Sequence, residues 1–164
     1  GRFTHASPGN ATSSFQLFQE LILGQIMQTF LPYKSFEQSA ACLDNKRLGK
    51  QRVEVLQILK ALHDPSYGWQ NHPAVKMWRG HIPALVGYGV AICHEWFYVR
   101  EFNDSCDGKI RAFLPEPTYF EMPDWLTDEF CLSHRSNLIR KDSTHYGKLW
   151  PDVPDNLPYI WPDS

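Results

Sequence analysis

Apolar residues recur along the chain at helical rather than strand spacing, and breaks containing proline or glycine divide them into three long stretches. The first covers residues 35–63. Ser35 is placed as its N-cap with Gln38 at the capping-box position, and Asp64, Pro65, Ser66 and Gly68 stop it after His63. Leu48, Val55, Leu59 and Leu62 share one stripe of this helix. A second helix starts at Asn71 or His72, ahead of Pro73, and runs to Phe102 with a kink where Pro83 removes a backbone donor. Its apolar residues, from Val75, Met77 and Trp78 to Cys93, Trp96 and Phe97, cover most of the circumference, the pattern of a helix central to a core. Residues 105–117 hold a short turn or helix, and Asp124 is placed to cap a third helical region reaching Trp150. The tail, residues 151–164, carries four prolines and is expected to wrap the surface as ordered coil. Alternation with a period of two is nearly absent, which predicts an all-α, compact single-domain fold.

The ends and the composition refine this picture. Residues 1–14 read as a flexible lead, and "SSFQLFQELILGQIM" is apolar enough for a short helix. Met27 opens a stretch of different character, so residues 1–26 read as an extension, a leader or an expression remnant and residues 27–164 as the helical domain. A chain of 164 residues with 43% hydrophobic content is long enough for one well-buried core. No apolar run is expected to reach the roughly 18 residues of a membrane span, and the start lacks the regions of a signal peptide. Cys42, Cys93, Cys106 and Cys131 form no CxxC pair and have no histidine at zinc-finger spacing, which favours reduced cytoplasmic thiols and no metal.

Charge changes the picture more. The formal net charge of −2 lacks the basic balance of many nucleic-acid binders, but it hides a local asymmetry. Lys46, Arg47, Lys50, Arg52 and Lys60 surround a single acid, Glu54, and Arg135, Arg140, Lys141 and Lys148 form a second basic group. Such segregation builds either a positive binding face or an ordinary solvated one. On the first helix Arg52 lies within about 40° of the apolar stripe, Asp44 at a similar angle on its other side, and Gln51 slightly further out. Glu54 shares a shoulder with Arg47, and Lys50 lies just beyond. A surface pair between Lys50 and Glu54 explains Lys50, but it does not explain Arg52 or Asp44 beside the core, where burial is costly without a partner. Gly49 costs about 1 kcal/mol in mid-helix and typically admits something bulky close to the backbone. Together these residues point to a polar pocket or an anion surface at the helix edge. Trp69, Trp78, Trp96 and Trp125 read as core residues, with Trp150 and Trp161 clamping the tail.

Four blocks, "MQTFLPY", "LDNKRLGKQRVE", "GWQNHPAVKMW" and "SHRSNLIRKDSTHYG", resemble the pyrimidine-dimer DNA glycosylase family, the phage endonuclease V-like enzymes, and in particular a bacterial and phage branch of it. The resemblance runs from Met27 to the end of the chain. It implies an all-α fold whose first helix presents a catalytic glutamate to flipped-out, damaged DNA; the matching residue is Glu54, with Lys50 and Arg52 beside it. It further implies DNA contacts from Asn45, Lys46 and Arg47 and from a C-terminal block containing Lys141, His145, Tyr146 and Lys148, beside which Arg140 of the second basic group is a further DNA-binding candidate. His72 is either a helix cap or a contact beside Glu54, and His134, Arg135 and Asn137 either bind phosphate or form a solvated face. The implied partner is double-stranded DNA carrying a damaged or modified base, met by a monomer without cofactor or membrane in the cytoplasm of a bacterial or phage-infected cell, near the nucleoid.

Cleaving an N-glycosidic bond develops positive charge on the sugar, which a carboxylate stabilises or toward which it orients a nucleophile. The surrounding cations would hold phosphates and keep Glu54 ionised, and a ring such as Tyr146 could fill the gap in the stack. In the family the nucleophile is the α-amine of a processed N-terminal residue. Here 26 residues precede Met27, so the nucleophile stands open between an N-terminal amine freed by removal of that extension, water with Glu54 as base, and an amine of Lys46 or Lys50. The alternative function is a non-catalytic nucleic-acid-binding protein of the same fold.

Overall fold

Seven α-helices account for most of the computed structural model, which describes residues 27–116 and 118–162, and no strand occurs among the described residues. They are α1 (Phe36–Cys42), α2 (Asn45–His63), α3 (Pro73–Trp78), α4 (Ile82–His94), α5 (Asp107–Arg111), α6 (Asp128–Lys141) and α7 (Ser143–Leu149), with a π-helical turn, Glu95–Val99, continuing α4. The fold is all-α, as the periodicity implies. The leader, and the short helix expected from residue 13, lie outside the described residues except for Met27.

The caps explain where the observed helices depart from the expected ones. Ser35 caps α1 by accepting from the Gln38 N–H at 3.1 Å. The expected single helix over residues 35–63 is nevertheless broken, because Leu43 is extended and Asp44 caps a new helix, its carboxylate accepting from the Arg47 N–H at 3.3 Å. The second expected helix is divided at Gly80, whose φ of +85° suits glycine and few other residues. Pro83 therefore does not kink a helix. It sits in the first turn of α4, where its missing N–H has no intrahelical partner to lose. His72 caps α3, its Nδ1 accepting from the Ala74 N–H at 3.0 Å. Thr127, not Asp124, caps α6, and Asp142 separates α6 from α7 by capping the latter.

Helix α4 is central. Ala84, Leu85, Tyr88, Gly89 and Ile92 are buried along it, and it packs on α1, α2 and α5. With its π turn it forms an 18-residue helical run, Ile82–Val99, of mean hydropathy 1.2, so an apolar stretch does reach the length of a membrane span, contrary to expectation. Its burial among three helices is what a core helix requires. The wider π turn also shifts the last residues out of the core register, and Phe97, expected inside, is exposed with Tyr98 and Val99.

The C-terminal half closes on the segment ahead of α1. His134 Nδ1 accepts from the Leu31 N–H at 3.0 Å, and Arg135 Nε donates to Pro32 O at 2.9 Å. The tail is the ordered coil expected. Arg140 donates to Asp155 O and Leu157 O, while Ser136 and Ser133 accept from the backbones of Leu157 and Ile160.

Candidate active site

The first half of α2 is fixed at its corner with α1 by Arg100. One guanidinium nitrogen donates to the carbonyls of Ala40 and Ala41 and another to Asn45 Oδ1 at 2.8 Å, while Nε pairs with Glu95 at 3.0 Å. From this corner α2 projects Lys46, Arg47 and Lys50, and then Glu54. A cavity of about 200 Å³ is lined by Gln28, Phe30, Lys46, Arg47, Lys50 and Glu54, and by Lys141 from the end of α6. A second cavity of about 390 Å³ is lined by Asn45, Lys46, Gly49, Lys50, Val53, Glu54, Gln57 and Trp96. Glu54 belongs to both walls and is only 3% exposed.

Gln51, three residues earlier on the same helix and fully buried, holds Glu54 in place. Its Nε2 donates to Gln28 O at 2.9 Å and to Glu54 Oε1 at 2.6 Å. Its Oε1 accepts from the Phe30 N–H at 3.3 Å and faces the Tyr88 hydroxyl at 2.6 Å, a hydroxyl that also lies 2.8 Å from Phe30 O. Only one orientation of the amide satisfies these partners. The other carboxyl oxygen, Glu54 Oε2, is buried without a hydrogen-bond partner among the described residues.

Burial pushes the Glu54 carboxyl up to about 8, against the pull of Lys50, the Gln28 backbone N–H, Gln51 and Lys141. The cations therefore do not keep it ionised, as the sequence suggested. Desolvation outweighs them, and at neutral pH the carboxyl holds its proton. Lys141 is shifted the other way. Partial burial, and then Arg47 and Arg140, lower its ammonium below the ordinary lysine value, with Glu54 opposing.

Gly49 does admit something bulky. A Cβ there would lie 2.9 Å from Trp96 Cη2, so the absent side chain lets the indole lie on α2 and wall the larger cavity. The same indole carries Arg52, whose guanidinium carbon is 4.5 Å from the ring centroid and whose Nη1 is 2.6 Å from Asp104 Oδ1. Arg52 lines neither cavity; its place beside the core stripe is explained by this pairing. Asp44 is explained by its capping. Burial pushes its carboxyl up, but the Tyr146 hydroxyl and Arg47 outweigh that and hold it below its ordinary value.

The remaining expected site residues separate. Asn45, Lys46, Arg47, Lys50 and Lys141 meet Glu54 at the two cavities. His72 is buried as a cap, its ring against Trp69 and Trp161. His134 is fully buried between Phe130 and Tyr159, and burial pushes its imidazole down to about 3, so it carries no charge for a phosphate. Tyr146 is also fully buried, its hydroxyl bonded to the Asp44 carboxylate and its ring stacked on Trp150, and is unavailable to fill a gap in DNA. Arg135 stacks on Tyr33 and ties Pro32, and Asn137 accepts from Arg140, which holds the tail. His145, which contacts Cys42 O at 3.0 Å, and Lys148 are exposed on α7 and line neither cavity.

Gln28, Gln57, Tyr88 and Trp96 were not singled out by sequence as site residues. The one available signal was Gln51, a polar residue near the apolar stripe three positions before the acid. Among the described residues no group of three or more His, Cys, Asp or Glu is arranged to hold a metal.

A family model described as pyrimidine dimer DNA glycosylase matches residues 27–109, a span that includes every lining residue of the two cavities except Lys141. No curated protein and no solved structure matches the chain.

Proposed function

Because the chain belongs to the pyrimidine dimer DNA glycosylase family, we propose that it excises a damaged or modified pyrimidine from double-stranded DNA, with Glu54 as the catalytic carboxyl. The observation that carries this reading is the position of Glu54: a buried carboxyl, its pKa raised by that burial, with one oxygen unpartnered among the described residues, on the wall shared by a basic cavity and a more apolar one.

The two cavities suit the two halves of a nucleotide. Lys46, Arg47 and Lys50 present cations to the phosphates that flank the target. The larger cavity offers an indole, Val53 and the Gln57 amide, whose Oε1 is buried without a partner among the described residues, to a base taken out of the stack. Extrusion costs a few kcal/mol and costs least for a damaged base, which favours such substrates before any contact is made.

When the N-glycosidic bond breaks, the electron pair leaves with the base and C1′ becomes positive. A protonated Glu54 donates its proton to the departing pyrimidine, and the carboxylate that remains opposes the charge on the sugar. Lys50 and Lys141 stabilise that anion once formed. Gln51 keeps the carboxyl aimed throughout, since its own amide is fixed by Gln28 O, the Phe30 N–H and the Tyr88 hydroxyl.

The test is release of base from ultraviolet-irradiated duplex, read as new abasic sites. Replacing Glu54 by Gln removes the transferable proton and should lower the rate by about 10²–10⁴-fold, the usual contribution of a general acid. Parental activity in E54Q would refute the role of Glu54. Salt-dependent binding with no base release from irradiated or modified duplexes would instead favour the non-catalytic reading.

A further inference from the structure

We propose that His134 on α6 and Tyr159 in the tail are positioning residues for Glu54: from the far side of residues 28–31 they hold that segment against the carboxyl and keep water from it. The consequence for catalysis rests on the glycosylase reading above, whereas the positioning is a property of the free protein.

Hydrogen bonds along the segment alternate in direction, the pattern of an extended chain. Gln28 and Phe30 turn their backbone groups to the site. Gln28 O accepts from Gln51 Nε2 at 2.9 Å and the Gln28 N–H pulls on Glu54, while the Phe30 N–H donates to Gln51 Oε1 at 3.3 Å and Phe30 O lies 2.8 Å from the Tyr88 hydroxyl. Thr29 and Leu31 turn theirs the other way. Thr29 O accepts from the Tyr159 hydroxyl at 3.3 Å, the Leu31 N–H donates to His134 Nδ1 at 3.0 Å, and Trp78 Nε1 donates to the Thr29 hydroxyl at 3.1 Å. One side of the segment therefore walls the basic cavity and orients Gln51, and the other is fixed by α3, α6 and the tail.

His134 is fully buried, its ring stacked on that of Tyr159 with centroids 4.9 Å apart. It uses one nitrogen. Because Nδ1 accepts from Leu31, the hydrogen is on Nε2, which is buried without a partner among the described residues. A core position filled for packing alone would not carry an idle N–H, so the bond to Leu31 is what the imidazole is there to make. Ser136 and Ser133 accept from the backbones of Leu157 and Ile160, and so present Tyr159 to Thr29.

The groups that face Glu54 are Lys46, Arg47 and Lys50 of its own helix, Lys141 of α6, Tyr88 of α4 and Tyr159 itself. Burial keeps both phenols neutral, and His134 is uncharged above about pH 3. Replacing His134 or Tyr159 therefore removes no charge at neutral pH, and its effect reaches Glu54 through solvation.

The experiment is carbon-13 NMR of the full chain labelled at glutamate Cδ, with Glu54 assigned by the signal that E54Q lacks. Parent Glu54 is expected to titrate near 8. H134L leaves Leu31 without its acceptor and should lower that midpoint by about one unit or more, as water reaches the carboxyl. Y159F keeps the ring, loses only the hydroxyl, and should lower it by less. H134Q keeps an acceptor and should restore the parent midpoint, which a merely space-filling role would not require. A folded H134L with the parent midpoint overturns the proposal, as does an H134Q shifted as far as H134L. Should H134L not fold, Y159F decides: a lowered midpoint supports the proposal and the parent midpoint overturns it. A parent midpoint near 4.5 overturns the buried carboxyl and both readings with it. Base release from irradiated duplex is measured against pH in parallel, and its alkaline limb should move with the NMR midpoint. Shifted midpoints in proteins that release no base, the parent included, support the positioning and refute the glycosylase reading.

Discussion

Replacing Glu54 by Gln should make the protein more stable while it disables it. In the unfolded chain this carboxyl ionises near 4.5, and in the folded protein near 8, because burial penalises the charged form. Between those values the unfolded state has lost a proton that the folded state retains, so stability falls as pH rises, by about 1.4 kcal/mol per pH unit. The accumulated cost is about 3 kcal/mol at pH 7 and levels off above pH 8. Glutamine has the shape of the neutral acid, and its oxygen can still accept from Gln51 Nε2. Its amide N–H₂ would stand where Oε2 now has no partner, and desolvating it subtracts about 1 kcal/mol. The net gain at pH 7 is then about 2 kcal/mol, or a rise in Tm of roughly 4–8 °C for a chain of this size.

The assay is urea unfolding followed by tryptophan fluorescence for parent and variant at several pH values from 5 to 8.5. Taking the difference between the two proteins cancels every group common to both, provided that their m-values agree. E54Q should gain little near pH 5 and progressively more up to pH 8. A difference that stays flat across this range, or an E54Q protein less stable at every pH, would refute a buried, protonated Glu54. A companion signature is expected in the chemistry: kcat/KM should fall as pH rises through about 8, where the free enzyme loses the proton it must donate.

Four further outcomes follow from the same structure. R52M should cost about 3 kcal/mol by stranding Asp104, which would keep only the backbone N–H groups of Cys106 and Asp107; urea titration reads the loss, and turnover should fall only with the folded fraction. G49A gains about 1 kcal/mol of helix propensity but drives a Cβ into Trp96 at 2.9 Å, so it should be destabilising by about 1 kcal/mol net, with KM raised as the indole moves. Y146F should cost about 2 kcal/mol and raise the Asp44 carboxyl pKa, seen by NMR titration, because it removes a hydroxyl bonded to that carboxylate. H134Q should resist acid better than its own neutral-pH stability suggests. His134 ionises near 6.5 when unfolded and near 3 when folded, so the parent loses stability as pH falls through that window, and glutamine can keep an acceptor for Leu31 without titrating.

What the sequence revealed of the site was local, and what it concealed was mostly long-range. Ser35 and His72 act as caps where the start signals placed them, and the Glu54 helix carries its cations on the face the periodicity assigned. The break at Asp44 was hidden because apolar spacing continues across Leu43, so a wheel drawn through both helices made a capping residue look like a core intruder. Arg52 was rightly seen as anomalous, but its partner, Asp104, lies 52 residues on in the chain. Tyr146 and His134 looked like DNA contacts because aromatic and basic residues cluster in "SHRSNLIRKDSTHYG". Their partners, Asp44 and Leu31, are 102 and 103 residues away and draw both rings inside. Lys141 was legible as a cation, but not as one that shares a cavity with Lys46, Arg47 and Lys50, because that depends on how the end of α6 meets α2.

Arg52 and Glu54 make the clearest contrast in the molecule. Two residues apart on one helix, both are ionisable groups beside the core, but Arg52 has an ion-pair partner at 2.6 Å and a ring beneath it, whereas Glu54 has no ion-pair partner among the described residues and one buried oxygen without a hydrogen bond there. A residue serving packing alone would be replaced at this position by an apolar one with a gain in stability. The cost of keeping an acid there is consistent with a group held for use. The basic rim then has a second effect besides attraction. Phosphates seated on Lys46 and Lys50 would weaken the pull of those cations on Glu54 and so hold the proton in place as the duplex binds. Only when C1′ turns positive would the balance reverse, favouring the carboxylate at the moment the departing base needs the proton.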